Sequence, residues 1–370
     1  MKLSADCRML LGALLLCLGW SASHAEDELQ IETVATGLEN PWSLTFLPDG
    51  RMLVTERAGR LRIIEDGELL PDPVANVPPA YVAMQAGLFE VLAAPDFDET
   101  QQLYLSLASG TARSNTIRVI RARLVDHRLE DVETIFQSEP SRDTPVHYGG
   151  RLLFLPDGSL LLGTGDGFDY REMAQQRSNH IGSILRFHTD GSVPSDNPFL
   201  QESDTAPELF TYGHRNVQGL ALDPETGTIW QHEHGPRGGD ELNRLQAGAN
   251  YGWPIVAHAV NYSGAHVTPF TELPGVENPV HIWNSAIAPA GLAVYRAEAF
   301  PDWQGNLLVA GLASRAVHRL VIEDDHVVTE QQLFTELDRR FRDVRVGPDG
   351  YVYLLTDHGD GEVLRVLPRP

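Results

Sequence analysis

The sequence predicts an all-β protein, a six-bladed β-propeller of four-stranded antiparallel blades. Three observations predict it. A strand-turn-strand phrase recurs six times, helical periodicity is nearly absent, and no Pro/Gly/Ser-rich linker divides the chain.

The clearest copies of the phrase are "FLPDGRMLVTE" from Phe46, "FLPDGSLLLGTGD" from Phe154 and "VGPDGYVYLLTD" from Val346. Each sets an Asp-Gly turn before alternating apolar residues, the signature of a hairpin strand. Looser copies are "AAPDFDETQQLYLSLAS" from Ala93, "LDPETGTIWQHEHG" from Leu222 and "FPDWQGNLLVAGLAS" from Phe300. Their spacing of about 45 to 80 residues suits one four-stranded blade per copy. "IETVATGL" near the N-terminus is a candidate partner for "EVLRVLP" near the C-terminus, a pairing that closes the ring and removes open edges. One short helical stretch is expected near Arg171 to Arg177, inside a long insertion.

The N-terminus reads as an export signal. Lys2 and Arg8 precede or adjoin an apolar run from Met9 to Trp20, and "SASHA" follows with small residues at the cleavage positions. The run is shorter than the roughly 20 residues a membrane span needs. The expected division is therefore a signal peptide over 1–25 and a single catalytic propeller over 26–370, periplasmic or secreted. Both cysteines, Cys7 and Cys17, fall in the signal. Disulfides, thiol nucleophiles and thiolate zinc sites are thereby excluded from the mature chain.

Residues 1–25 hold two basic groups and one acid, so the remainder carries 26 basic and 50 acidic groups, a net formal charge of −24. Such a surface repels nucleic acid and anionic membranes. Lys2 is the sole lysine, so every basic side chain of the mature protein is an arginine or a histidine.

The candidate chemistry is scattered along the chain, as a propeller mouth requires. His147, in "HYGGRL", stands at a strand entrance, and Asp166, in "GTGDG", lies 19 residues on; a histidine held by an acid is a candidate general base. Arg215 and Asn216 in "GHRNVQG" offer donors to carboxylates or carbonyls. In "HEHGPRGGDE" His232 and His234 face one way and Glu233 the other. Two histidines alone make a thin zinc site. The Gly235 and Pro236 carbonyls with Asp240 and Glu241 are better donors for a hard cation such as calcium. Arg340 and Arg342, two apart in "RRFRDVR", are a candidate anion clamp, and Tyr262 in "NYSGA" is a candidate ring for packing a planar ligand.

Seven segments in this order, "NPWSLTFLPDG", "MQAGLFEV", "HYGGRL", "NHIGSILRFHTDGSVPSDNPF", "GHRNVQGLAL", "HEHGPRGGDELNRLQAGANYGWP" and "RFRDVRVGPDGYVYLLTD", carry a resemblance. The chain resembles the soluble, pyrroloquinoline-quinone (PQQ)-dependent aldose sugar dehydrogenases of the glucose/sorbosone dehydrogenase family. The resemblance spans nearly the whole mature chain. It implies a periplasmic quinoprotein that oxidises aldoses at C1 to lactones, with PQQ and Ca²⁺ as cofactors and an electron acceptor still to be found. It implies His147 as the base, Asp166 as the acid orienting it, and Gln85 as a contact to substrate and cofactor. Cofactor contacts are implied for Arg215, Asn216, Tyr262, Leu312, Ala313, Ser314, Arg340, Phe341 and Arg342. Calcium contacts are implied for Gly235, Pro236, Glu241 and Tyr251, with His232 and His234 left in supporting roles.

One position departs from the pattern. Ala313 stands where the family often has a lysine, and Arg315 or nearby backbone groups are the candidate substitutes. The chain lacks long family-specific insertions, so a broad aldose range is expected, and the molecule is expected to be a monomer or homodimer. Two other readings share part of the pattern. A calcium-dependent lactonase-type hydrolase would use the base and the acidic mouth without the converging arginines. A non-catalytic binding propeller would have lost its cofactor site at Ala313.

Overall fold

The computed structural model of the protein describes residues 29–369; the expected signal peptide lies outside them. Six four-stranded antiparallel sheets form a ring. Their innermost strands are Pro41–Phe46, Leu88–Ala93, Gly149–Phe154, Val217–Leu222, Pro289–Val294 and Phe341–Val346, numbered here as blades 1 to 6. Each recurrent phrase of the sequence is the turn that joins an innermost strand to the second strand of its blade. The expected closure is present. Leu29–Leu38 is the outermost strand of blade 6 and pairs antiparallel with Gly361–Pro368, Ile31 lying opposite Val366. Among the described residues helix is confined to short pieces, one of them the 3₁₀ turn Arg171–Gln175 in the expected insertion.

Packing between blades is apolar and follows the period-2 alternation. Leu53 and Leu61 of blade 1 meet Leu88, Val91 and Leu105 of blade 2 in one buried cluster. Burying a leucine of this kind contributes roughly 1.5–3 kcal/mol. Phe341 sits in the equivalent cluster of blades 5 and 6, with no exposed surface.

The innermost strands also bury charge on the central axis. Arg151 of blade 3 pairs with Glu90 of blade 2 and Asp343 of blade 6, each at 3.1 Å. Arg345 of blade 6 pairs with the same two acids, at 2.6 and 2.9 Å. Arg151 also donates to the Gln218 carbonyl of blade 4 and lies 4.2 Å from the centre of the Trp42 ring of blade 1. These two arginines and two acids plug the floor of the channel.

Strand register explains why residues far apart in sequence meet above that plug. The first residue of an innermost strand pairs with the last of the second strand: Pro41 with Glu56, Gly149 with Thr164, Val217 with Glu233, Pro289 with Gly311, Phe341 with Thr356. Residues just before the first strand and just after the second therefore rim one mouth. Gln85, His147, Asn216 and Arg340 arrive by the first route; Asp166, His234, Leu312 and Asp357 arrive by the second.

Candidate active site

His147 and Asp166 meet at this rim. His147 Nδ1 lies 2.7 Å from Asp166 Oδ1, and the other carboxylate oxygen accepts from Trp253 Nε1 at 2.8 Å. A carboxylate can only accept, so Nδ1 carries the proton and Nε2 is left as the acceptor. Both residues are buried. Burial pushes the imidazole below its usual range, and the charges of Arg215 and Arg142 push the same way against the Asp166 hydrogen bond. For Asp166 burial opposes ionisation, but the hydrogen bond and charge of His147, with Arg215, hold it below the ordinary carboxylate range. At neutral pH the pair is an anionic acid orienting a neutral base.

The backbone at His147 is strained and held. Its φ is +51°, a left-handed value that costs a non-glycine residue roughly 1–2 kcal/mol. Gln85 Oε1 accepts from its N–H at 2.8 Å and Arg142 Nη1 donates to its carbonyl at 2.9 Å. That carbonyl lies against Gly165, where a Cβ would fall 2.1 Å from it. Gly149 and Gly165 thus admit backbone, and Gly150 and Gly163 admit the Phe89 and Val217 side chains, rather than ligand, at close range.

Two adjoining cavities of about 450 Å³ each fill the mouth. His147, Asp166, Arg215, Pro236, Trp253 and Tyr262 line one with Phe168. Gln85, Asn216, His234, Leu312, Arg340 and Arg342 line the other with Arg57 and Asp357. Tyr262 is exposed and lies near-parallel to Phe168, ring centres 6.3 Å apart and planes at 27°. Arg215 is buried over the Trp253 ring and donates to the His234 and Gly235 carbonyls at 3.0 and 2.9 Å. Asn216 accepts from the Gly149 N–H at 3.1 Å.

The expected anion clamp is partly neutralised. Arg342 Nη2 lies 2.8 Å and Arg340 Nη2 3.3 Å from Asp357 Oδ2, and Arg340 also donates to the Leu312 carbonyl. Burial would raise Asp357, yet the two guanidinium groups hold it at about 2. Ser314 Oγ is engaged with His318 Nε2 at 2.8 Å, and the Ala313 amide donates to the Ile287 carbonyl. The ring of Phe341 is packed in the core, so a ligand contact there runs through backbone alone. Arg315 does not substitute for the missing lysine. It pairs with Asp338 at 2.6 Å on the surface and lines neither cavity.

In the "HEHGPRGGDE" loop the donors divide. Both oxygens of Asp240 are taken by amides of its own surroundings, those of Gly235, Ile287 and Ala288 at 2.8 Å, so Asp240 shapes the loop. His232 Nε2 and His234 Nε2 face the carbonyls of Gly291 and Pro289, as expected of supporting groups. Glu233 and Glu241 are cross-strand partners. Burial and then the Glu233 charge push the Glu241 carboxyl well above its usual range. Two such acids side by side suit a hard cation. The Tyr251 hydroxyl is committed to the Arg244 carbonyl at 2.7 Å, leaving only its backbone carbonyl as a donor. Among the described residues no cluster of three or more His, Cys, Asp or Glu could hold a metal, so a cation here depends on carbonyls.

Sequence reasoning missed Trp253, Arg142, Phe168, Arg57 and Asp357. The signal existed for Trp253, which stands in the quoted "NYGWP", and for Arg57 and Asp357, which directly follow the strands that the repeated turns begin.

A propeller whose mouth orients a neutral imidazole with a buried acid, next to an arginine-rich cleft, has the build of a catalytic propeller. The chain belongs to the Glucose / Sorbosone dehydrogenase family, whose sequence model matches residues 38–365. It is 38% identical to the aldose sugar dehydrogenase YliI of Escherichia coli strain K12, over 96% of this chain and 97% of that one. The solved apo-form of the E. coli soluble aldose sugar dehydrogenase superposes with a TM-score of 0.89 at 39% identity, covering 92% of this chain and all of the other. The PQQ-bound aldose sugar dehydrogenase of Streptomyces coelicolor superposes with a TM-score of 0.75 at 28% identity, covering 92% and 98%. The protein is a sugar oxidoreductase.

Proposed function

We propose that the protein is a PQQ-dependent aldose dehydrogenase that oxidises the sugar at C1 to the lactone. The observation that carries this reading is the hydrogen-bonded His147–Asp166–Trp253 chain opening on a cavity rimmed by Arg215, beside an arginine-rich cleft. The residues fit the cofactor. PQQ is a planar tricarboxylate, which matches guanidinium groups and the near-parallel Phe168–Tyr262 pair. When bound, PQQ with Ca²⁺ supplies a hydride acceptor whose carbonyl the cation polarises.

The chain's own residues do the rest. His147 Nε2 takes the proton of the anomeric hydroxyl, and Asp166 stabilises the imidazolium that forms. Trp253 fixes the carboxylate, and Gln85 and Arg142 fix the backbone that carries the base. Arg340, Arg342, Arg215 and Asn216 hold the cofactor, with Leu312 to Ser314, Phe341 and Tyr262 beside it. Gly235 and Pro236 hold one cation, and Glu241 with the Tyr251 carbonyl holds a second. Residues 1–25 export the chain to the periplasm or beyond, and 26–370 form one catalytic domain.

Reconstitution tests the reading. The purified chain without cofactor should reduce a dye with aldoses only after both PQQ and Ca²⁺ are added, and a sugar panel should show a broad range. Activity on lactones without quinone would replace this reading with hydrolysis. No quinone binding at all would replace it with a binding propeller.

A further inference from the structure

We infer that Arg57 is a third cation of the cofactor cleft, donated by blade 1 where blade 5 offers only Ala313. The inference rests on the proposed binding of a carboxylate-rich quinone. Arg57 follows Glu56, the last residue of the second strand of blade 1. It holds the rim position that Asp357 holds in blade 6 and Leu312 in blade 5. Its side chain lines the cleft together with Gln85, Arg340 and Arg342.

Charge counting makes the assignment. Arg340 and Arg342 share Asp357, and no carboxylate pairs with Arg57 among the described residues. Three guanidinium groups against one carboxylate leave two positive charges in surplus in a partly enclosed space. The neighbouring acid Glu39 is already held by Arg60 at 2.6 Å. A surplus of cations in a cleft of an otherwise strongly acidic protein calls for an anion. The floor of the same channel shows that this chain matches arginines to acids where no ligand is wanted.

The group is also positioned in advance. The Arg57 amide donates to the Asn40 carbonyl at 3.1 Å, its carbonyl accepts from Leu88 at 3.2 Å, and Nη1 donates to the Met84 carbonyl. A Cβ at position 87 would fall 2.1 Å from the Arg57 carbonyl oxygen and 2.7 Å from its Cγ, so Gly87 lets the stem pass. Only one terminal nitrogen is spent on Met84, next to Gln85, and the remaining donors are left to a carboxylate. Blades 1 and 5 are the two neighbours of blade 6, so Arg57 flanks the arginine pair from the side opposite Ala313.

The test is PQQ binding itself, followed by tryptophan quenching and calorimetry with Ca²⁺ present, in wild type, R57Q, R57K and R315Q, with melting temperatures recorded alongside. R57Q should weaken PQQ at least tenfold at an unchanged melting temperature, R57K should recover part of the loss, and R315Q should bind as wild type. A313K placed in the R57Q background should restore binding, since it returns the charge from the other flank. Wild-type affinity in R57Q would overturn the inference while leaving the dehydrogenase reading intact. No rescue by either R57K or A313K would also overturn it, by making the loss one of shape. Absence of PQQ binding in the wild type would overturn both.

Discussion

The propeller axis carries charge at two levels, and they are built differently. At the floor, Arg151 and Arg345 face Glu90 and Asp343, two against two, all held between innermost strands. At the mouth, Arg57, Arg340 and Arg342 face Asp357 alone. The floor resolves the cost of burying ions within the chain itself, while the mouth leaves charge over for something that arrives. The backbone follows the same division. Bulges interrupt the strands that carry Glu90 and Arg151, yet none of the four floor residues has a positive φ, whereas His147 above them is held at φ +51° by two side chains. Matched charge without left-handed backbone marks scaffold, and surplus charge beside strained backbone marks function.

The largest effect that tests this contrast belongs to the mouth. His147→Ala should lower kcat by about 10²–10⁴-fold with PQQ affinity and unfolding midpoint nearly unchanged, because a base acts in the transition state. Equal collapse of cofactor binding would make His147 a ligand instead. The acid limb of kcat/KM should lie below the ordinary imidazole range, since burial and Arg215 lower this pKa. Arg215→Gln should move that limb upward.

The matching change at the floor should act on folding. Glu90→Leu leaves Arg151 and Arg345 with one acid between them, and removing one partner from a buried ion pair costs about 3–5 kcal/mol. Urea unfolding should show a loss of that size. A loss below about 1 kcal/mol would mean that the plug is hydrated and that the two levels do not differ as argued.

How much of this the sequence made legible follows from where each signal lives. The blades were readable because a turn needs Asp-Gly and a buried strand needs alternation, and both are local. His147, Asp166, Arg215, Arg340 and Arg342 were readable from their setting at strand ends. The partners were not. Asp357 cancels part of the Arg340–Arg342 charge only because Phe341 pairs with Thr356, and Trp253 reaches Asp166 across 87 residues. Arg315 looked like a substitute cation by sequence distance, yet the surface acid Asp338 holds it. Register and inter-blade contact decide such pairings, and neither is written in a single segment.

Calcium provides a smaller effect and a third kind of charge balance. Glu233 and Glu241 repel each other in a buried strand pair, so a cation bound there should stabilise the fold by about 2–3 kcal/mol at a hundredfold excess over its Kd. Chelation should remove that increment, and Glu241→Gln should abolish the part of the response to chelator that comes from this site. An unchanged melting temperature under chelation of the wild type would count against both cation sites.

The smallest effect asks whether Asp357 belongs to floor or mouth. Its carboxyl is held at about 2 against an ordinary 3.8, so it contributes at most about 2.5 kcal/mol of stability. Because the folded pKa is the depressed one, that stability is complete above about pH 4 and is lost as pH falls through about 2. Asp357→Asn should therefore flatten the acid end of the stability profile relative to wild type and cost little more than this at neutral pH. Arg340 is 40% exposed and can turn to water, which neither floor arginine can do as freely. The same variant removes the one acid among the three cleft arginines, so PQQ should bind more tightly. If binding weakened instead, Asp357 would be the splint that aims Arg340 and Arg342. The mouth would then repeat the floor's device of using an acid to fix arginines, with only Arg57 left without an acid partner.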